Sequence, residues 1–397
     1  MINKIVAAFL AVIMFFAFWS YDVKPFDELA NVIINPYAES IKEQDGQSRG
    51  LLDEAQKQLY DILKTALMDL EDEVIVRRVG YTESDFRKVI WCIMQDNPDL
   101  FWVDWPAMTA TVVGGVLMIS SKYIFESSEL ALKKQLLDAR CLEIVNLANQ
   151  SVLDDFSKAL FVHDYLIKNV KYNENGPPEM HSAYGAIVSG EAVCDGFAHA
   201  FQYIIQKLGV ECLYVEGRIS GGAPDIGHAW NIVKIDDIYC HVDTTWNKIN
   251  YNFGDDWQHK MPQSYSYFLI SDSEIFIDHI SENPFDLPEC EGYGYFAKLG
   301  LQASNDFKKI SDNVAKQLYE NIKNDKYYIE FRITDEKEFQ RVINRENFGK
   351  IMDEEVFESV DAMLKDDGLK MPALRKYKWS PSLTPFGCIL LYVTEEP

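Results

Sequence analysis

One cysteine stands at the start of a strongly apolar run in the stretch "GEAVCDGFAHAFQYIIQKLG" (190–209). The apolar residues recur at helical spacing, so the pattern predicts a helix that begins near Cys194 and ends at Leu208-Gly209. The free N–H groups and the positive end of a helix dipole favour a thiolate at that position. A free cysteine also fills cores as a small hydrophobe, so this stretch alone leaves a nucleophile and a packing residue open.

Two strand-like runs follow, "HAWNIVKI" (228–235) and "IYCHVDTTW" (238–246), and only two residues separate them. A connection of that length is typical of a β-hairpin and fixes its register, which places Trp230 opposite Asp243. Opposed residues share a face of the sheet, as do alternate residues along one strand. The register therefore predicts that His228 and Asp243 share a face, within reach of a side-chain hydrogen bond.

His241 shares that face and is the rival base in the hairpin. It lies on the strand of Asp243 rather than across from it, which favours His228 as the partner. Cys240 falls on the opposite, mostly apolar face, and we expect it to be inert. His199 is expected to be structural, because it lies about 140° around the helix from the cysteine. For two further histidines, 163 and 181, the sequence indicates no partner.

A cysteine at a helix N-terminus, a histidine on one strand and an aspartate on the next form a nucleophile, a base and an orienter of that base. The thiolate of Cys194 would attack an acyl carbon. His228 would take the proton and return it to the leaving group, while Asp243 would hold the imidazole in one tautomer. The backbone N–H of Cys194 and a second, unassigned donor would bind the oxyanion.

The segments around these residues resemble the bacterial transglutaminase-like superfamily. They are "AVCDGFAHAF", "GHAWNIVKI" and "HVDTTWN", in that order, and the resemblance covers roughly residues 85–280. It implies an α+β, papain-like fold, in which the cysteine helix packs on an antiparallel sheet, and a triad of Cys194, His228 and Asp243. Asp195 departs from the pattern, since many relatives have a neutral polar residue there. A carboxylate beside the thiol would oppose its ionisation.

The family includes cross-linking acyltransferases, peptidases, amidases and inactive members. The resemblance therefore implies acyl transfer on protein or peptide amides, those of the cell envelope among them, through a thioester. A cysteine peptidase or amidase and a non-catalytic binding module stay open as alternatives. Three side chains and an oxyanion pocket suffice for this chemistry, so no metal or organic cofactor is expected. Trp230 and Trp246 are either packing residues or substrate-binding walls of the acyl groove.

Composition and charge narrow the class of protein. The 397 residues are 48% hydrophobic and 13% aromatic, which is typical of a packed chain rather than a disordered one. A formal net charge of −24 argues against a nucleic-acid partner, since phosphate recognition needs clustered Lys and Arg. The seven cysteines form no CxxC pair, which argues against a metal ribbon and a dense disulfide framework.

The N-terminus carries a targeting signal. Lys4 precedes the uncharged run 5–21, which is typical of a signal peptide or a short membrane span. A small-x-small cleavage site is hard to find, so an uncleaved anchor is slightly favoured over a cleaved signal. Either alternative predicts that the body of the protein is extracytoplasmic, with membrane contact through this segment only.

Changes of pattern along the chain predict five regions. Helices are predicted at 51–72, after an N-cap at Thr82 or Ser84, at 127–149 and at 152–170. A strand is predicted over 109–120, in which Gly114-Gly115 mark a bulge or tight turn. Strand and helix patterns without a catalytic motif follow the catalytic region, which favours a spacer or recognition module there. The regions are 1–21, a signal peptide or membrane anchor; 22–50, a linker; 51–150, mostly helical; 151–285, the catalytic domain; and 290–397, a small α/β domain.

Overall fold

The computed structural model describes residues 48–76, 81–114, 116–151, 154–220, 226–248, 264–368, 376–381 and 387–394. Their fold is α+β, as the resemblance implies: a helix that begins at Cys194 packs on a five-stranded antiparallel sheet. The predicted signal or anchor (1–21) lies outside these ranges. Within them, no helix is both long and apolar enough to cross a bilayer.

Helices dominate the region that precedes the cysteine helix. They are α1 (Glu54–Met68), α2 (Glu83–Asp96), α3 (Ser127–Ser151) and α4 (Asp155–Asn169). Asp53 and Thr82 begin the first two through capping boxes, in which a side chain three residues later bonds back to the cap. The prediction of Thr82 as an N-cap is confirmed, and α2 ends before Asn97-Pro98 as expected.

A small antiparallel sheet accompanies these helices, with strand order β1-β3-β2. Its strands are β1 (Glu73–Val76), β2 (Thr109–Val113) and β3 (Val116–Ser120). The run 109–120 is thus a hairpin rather than one strand, and of the predicted alternatives at Gly114-Gly115 the tight turn is confirmed, with Gly114 at a φ of +59°. The sequence did not predict β1, because its four residues are too few to establish an alternating pattern.

The central sheet carries the predicted hairpin. Ahead of the sheet, β4 (Lys171–Tyr172) and β5 (Glu191–Ala192) form a short parallel pair. The sheet has the order β10-β6-β7-β8-β9, and its strands are β6 (Cys212–Ile219), β7 (Ile226–Ile235), β8 (Ile238–Val242), β9 (Phe268–Ile270) and β10 (His279–Ser281). Ile235 pairs with Ile238, and Asp236 and Asp237 turn the chain with φ of +48° and +68°. The pairing confirms the predicted register, and positive φ at both turn residues is typical of the type I′ turn of a two-residue hairpin.

The cysteine helix, α5 (Cys194–Lys207), lies at the centre of the catalytic region. Phe197, Phe201 and Ile204 are fully buried. The helix packs on β6 and β7 on one side and on α3 and α4 on the other. It ends as predicted, with Gly209 at a φ of +81°. Packing on both sides fixes the position of its first residue.

The C-terminal region contains a four-stranded sheet of order β11-β12-β14-β13. Its elements, with the two short helices before it, are α6 (Asp272–Ile275), α7 (Tyr295–Lys298), β11 (Gln302–Ala303), α8 (Lys308–Lys323), β12 (Tyr328–Ile333), α9 (Glu336–Ile343), α10 (Arg345–Met352), α11 (Glu358–Asp366), β13 (Lys376–Pro381) and β14 (Cys388–Thr394). Glu330 accepts hydrogen bonds from the Ser264 hydroxyl (2.9 Å) and the Tyr265 N–H (2.5 Å), which joins this sheet to the central part of the chain. The limits of the predicted domains stay a prediction.

Candidate active site

Cys194 is the first residue of α5, and it is partly exposed. All seven cysteines are free thiols, and the other six are buried. Burial, followed by the charge of Asp195, raises the pKa of Cys194 to about 12, although the backbone N–H groups of Ala229 and Asp195 act in the opposite direction. The helix N-terminus alone therefore does not produce the thiolate that the sequence suggested. The thiol needs a base.

His228 and Asp243 form the hydrogen bond that the hairpin predicted. The Nε2 atom of His228 lies 2.6 Å from Oδ2 of Asp243. The other oxygen, Oδ1, accepts the backbone N–H groups of Thr245 (2.8 Å) and Trp246 (2.9 Å). Burial alone would raise the pKa of Asp243, but its histidine partners hold it well below the ordinary value. An ionised carboxylate only accepts, so Nε2 of His228 carries the proton and Nδ1 offers a lone pair.

The three predicted residues meet where α5 begins and the strands of the hairpin adjoin it. The backbone N–H of Ala229, next to His228 in the chain, lies near enough to the thiol of Cys194 to lower its pKa. Asp243 acts on the same thiol through its charge. The three predicted site residues thus lie in the same part of the fold, and Cys194 is partly exposed.

His279 also contacts Asp243, and the sequence did not predict this contact. Its Nε2 lies 3.1 Å from the same Oδ2 of Asp243, and its Nδ1 lies 2.6 Å from Oδ1 of Asp278. The hydroxyl of Tyr267 donates to the second oxygen of Asp278 at 2.6 Å. The strand of His279 pairs with β6, on the far side of the sheet from β9, so no local pattern links it to the hairpin. The contact of His279 with Asp243 could be predicted only if the order of the strands in the sheet were known.

His241, the rival base, is occupied at both ring nitrogens. The indole N–H of Trp230 donates to its Nδ1 at 3.0 Å, and its Nε2 lies 2.8 Å from Oδ1 of Asp272. The imidazole is fully buried. With no free nitrogen, His241 does not compete with His228 for the proton of Cys194.

The two tryptophans differ in their surroundings. Trp230 is 1% exposed, so it is a packing residue in this structure rather than a wall of a substrate groove. Trp246 is partly exposed, and its ring centroid lies 5.9 Å from that of His228 and 4.8 Å from that of His279. Of the two predicted substrate contacts, only Trp246 is placed where a bound acyl group could reach it.

Asp195, the departure from the family pattern, has its own partners. Its carboxylate lies 2.7 Å from Nδ1 of His181 and accepts the hydroxyl of Tyr214 at 3.1 Å. The bond to Asp195 raises the pKa of His181, so this partner neutralises part of the charge beside the thiol. His199 stacks on Tyr214 with centroids 4.4 Å apart, and burial lowers its pKa to about 4, which agrees with the predicted structural role.

His163 supports the turn that follows Asp243. Its Nε2 lies 3.0 Å from the side-chain nitrogen of Asn247, and its Nδ1 lies 3.0 Å from Asp164. The side-chain oxygen of Asn247 in turn accepts the N–H of Tyr267 at 2.9 Å. His163 therefore has a partner, although the sequence indicated none.

Two groups of side chains are close enough to raise the question of a metal centre: His228, Asp243 and His279, and separately His241, Asp272 and Cys290. The carboxylate of Asp243 already accepts four hydrogen bonds, which uses its acceptor positions. A metal on Nε2 of His241 would leave the ring without a proton, because Trp230 donates to Nδ1, whereas ligating histidines donate their other N–H. Both groups fit hydrogen-bond networks better than cation sites.

Comparison with known proteins assigns the central part of the chain. Residues 145–244 match the family model described as the transglutaminase-like superfamily. That range ends one residue after Asp243, so it contains Cys194, His228 and Asp243. A search of curated proteins finds no match to the chain.

Solved structures similar to the chain share little of its sequence. A proposed cysteine protease from Cytophaga hutchinsonii is 15% identical with a TM-score of 0.24, over 35% of this chain and 61% of that one. A "TGase" is 10% identical with a TM-score of 0.26, over 46% of this chain and 53% of that one. A proposed protease from Parabacteroides distasonis is 10% identical with a TM-score of 0.25, over 51% and 42%.

The chain thus spans only about two to three fifths of the length of these structures, and TM-scores this low carry no argument about its activity. The assignment rests on the family model, which matches the segment that holds the cysteine helix and the hairpin. In residues 145–244, the chain carries a domain of the transglutaminase-like superfamily.

Proposed function

We propose that the protein is a cysteine enzyme that transfers acyl groups from protein or peptide amides through a thioester on Cys194. The observation that carries the proposal is the 2.6 Å bond from His228 to a buried, ionised Asp243. This bond keeps the proton on Nε2 and leaves Nδ1 as a base. Cys194 is partly exposed, and the backbone N–H of Ala229, which follows His228 on β7, lowers the pKa of its thiol.

The reaction follows from these positions. Nδ1 of His228 accepts the thiol proton while sulfur attacks the amide carbon, and the carbonyl oxygen becomes an oxyanion. The backbone N–H of Cys194, free at the first turn of α5, is the donor expected to bind that oxyanion. Collapse of the intermediate breaks the C–N bond, and His228 returns the proton to the departing amine. Asp243 stabilises the imidazolium that exists between these two steps.

The thioester is then resolved by an amine, which makes a transferase, or by water, which makes a peptidase or amidase. Both outcomes use the same three side chains, so we propose acyl transfer and keep hydrolysis as the second candidate. The negative surface favours lysine-bearing acceptors only weakly, since exposed charges are screened within about 10 Å at ordinary salt. A binding module without activity would need none of this hydrogen-bond geometry.

One experiment separates the three candidates. The purified protein and a Cys194→Ala variant are incubated with a mixture of glutamine-containing proteins and a tagged primary amine. We expect the tag to be incorporated by the wild type only. New N-termini without incorporation would establish a peptidase. A Cys141→Ala variant, which removes a buried thiol far along the chain, should behave as the wild type. If neither product appears with a broad range of substrates, that result would contradict the proposal.

We also propose that the protein is exported and held at the membrane by residues 5–21. The support is the uncharged run after Lys4 and the lack of a clear cleavage site. Cell fractionation with mass spectrometry of the N-terminus tests this. We expect an intact N-terminus in the membrane fraction, and a soluble product that begins soon after residue 20 would contradict the anchor.

A further inference from the structure

Two imidazoles compete for one oxygen of the Asp243 carboxylate. Oδ2 lies 2.6 Å from Nε2 of His228 and 3.1 Å from Nε2 of His279. The two rings lie 5.2 Å apart, and His279 and Asp243 are both completely buried. In this setting the charge that Asp243 offers to one imidazole is reduced by whatever charge the other imidazole carries.

The surroundings require His279 to be charged. Its two nitrogens face two carboxylates, those of Asp243 (3.1 Å) and Asp278 (2.6 Å). An ionised carboxylate offers no proton, so each bond needs a proton on the histidine. Burial alone would lower the pKa of His279, but its bonds to Asp243 and Asp278 raise it to about 9. Tyr267 holds Asp278 in place from the other side at 2.6 Å.

Within the residues that the structure describes, no other charged group near His279 reverses this balance. The titratable groups that face it from neighbouring elements are Asp243, Asp278, His228, His241 and Tyr267. Burial lowers the pKa of His241, and burial raises that of Tyr267 well above its ordinary value, so both are neutral near pH 7. The rings of Trp230 and Trp246 cover the remaining sides and carry no charge.

We propose that His279 is a positioning residue that holds Asp243 in place and takes up part of its charge, so that Cys194 and His228 rest as a neutral thiol–imidazole pair. The inference rests on the proposed function, since it assigns Cys194 and His228 the roles of nucleophile and base. A permanent thiolate–imidazolium pair would need the full charge of Asp243 behind His228. With His279 protonated, the proton moves to His228 only as sulfur attacks.

The pH dependence of alkylation of Cys194 tests the inference. The full-length protein and its variants react with iodoacetamide from pH 5 to 10, and mass spectrometry follows the peptide that contains Cys194. We expect His279→Gln to move the profile, and with it the midpoint, about one pH unit lower, so that alkylation on the rising limb is about tenfold faster at each pH, because His228 then holds a proton more readily. Asp278→Asn should move it the same way by less, since it weakens the charge on His279 without touching Asp243.

His241→Gln is the matched control. It also replaces a buried histidine bonded to a carboxylate, but that carboxylate is Asp272, so the midpoint should not move. An unchanged or higher midpoint in the His279 variant would overturn the inference. If His279→Gln does not fold, Asp278→Asn takes its place, and an unchanged or higher midpoint in Asp278→Asn would overturn the inference. A wild-type protein without amine incorporation or cleavage would refute the proposed function, whereas the shift in midpoint would still be measured.

Discussion

The orientation of one carboxylate decides the chemistry of this site. Asp243 takes backbone N–H groups on Oδ1 and imidazole N–H groups on Oδ2, so the carboxylate cannot rotate without losing bonds on both sides. It is also completely buried, which makes a lost bond costly. The turn that follows β8 thereby fixes the orientation of Asp243 and, through it, the tautomer of His228.

An Asp243→Asn variant tests whether Asp243 sets the tautomer of His228. The amide oxygen can still accept the N–H groups of Thr245 and Trp246, but the amide nitrogen then donates toward His228. The imidazole must accept at Nε2, which leaves its proton on Nδ1 and removes the base. We expect the rate of amine incorporation to fall by about 10³- to 10⁴-fold with the fold retained. A folded variant within tenfold of the wild type would show that His228 does not act through Asp243.

At the scale of elements, the site depends on how closely α5 approaches the chain before it. A Cβ built on Gly196 would lie 2.2 Å from the backbone oxygen of Met180 and 2.8 Å from the Cβ of Ala192. That oxygen also accepts the N–H of Val193, directly before the nucleophile. Glycine at 196 therefore lets the first turn of the helix seat Cys194.

A Gly196→Ala variant should consequently displace the start of α5. We expect the free energy of unfolding to fall by about 1–3 kcal/mol and alkylation of Cys194 to change in rate. Chemical denaturation and thiol labelling measure the two effects. Gly50→Ala is the control, because a Cβ there meets nothing within 4 Å. Equal stability of the two variants would mean that the contact with Met180 relaxes without cost.

The way the strands pair explains which parts of the site could be predicted from the sequence. A two-residue turn determines its own register, so His228 and Asp243 could be paired from the sequence alone. His279 comes 36 positions after Asp243, on a strand that pairs with β6 rather than with its predecessor β9. That arrangement depends on contacts distant along the chain. Periodicity also could not show that Trp230 is buried, because it does not reveal what covers the second face of the sheet.

At the scale of the whole molecule, one buried carboxylate links the C-terminal sheet to the rest. Glu330 on β12 bonds to Ser264 and Tyr265, and burial raises its pKa from 4.5 to about 7. The folded state therefore binds this proton more tightly than the unfolded chain. Stability from this group is complete below about pH 4.5 and is lost as the pH rises through 7.

Thermal melting of Glu330→Gln between pH 5 and 8 checks this. Glutamine can keep both bonds and does not ionise, so we expect the variant to gain in melting temperature relative to the wild type as the pH rises. Glu336→Gln, at an exposed site on α9, should follow the wild type at every pH. Parallel curves for the wild type and the Glu330 variant would show that Glu330 does not titrate in this range.

The central claim, that His228 activates Cys194, is tested most directly by the alkylation rate of this thiol at pH 7. Mass spectrometry of the labelled peptides compares the wild type, His228→Asn and the His241→Gln control, with glutathione as the ordinary thiol. Although the resting thiol is neutral, His228 accepts its proton as sulfur attacks, so we predict that Cys194 reacts faster than glutathione in the wild type and the control. In His228→Asn we predict a rate at least about tenfold lower. A Cys194 that reacts no faster than glutathione, at a rate unchanged in His228→Asn, would contradict the claim.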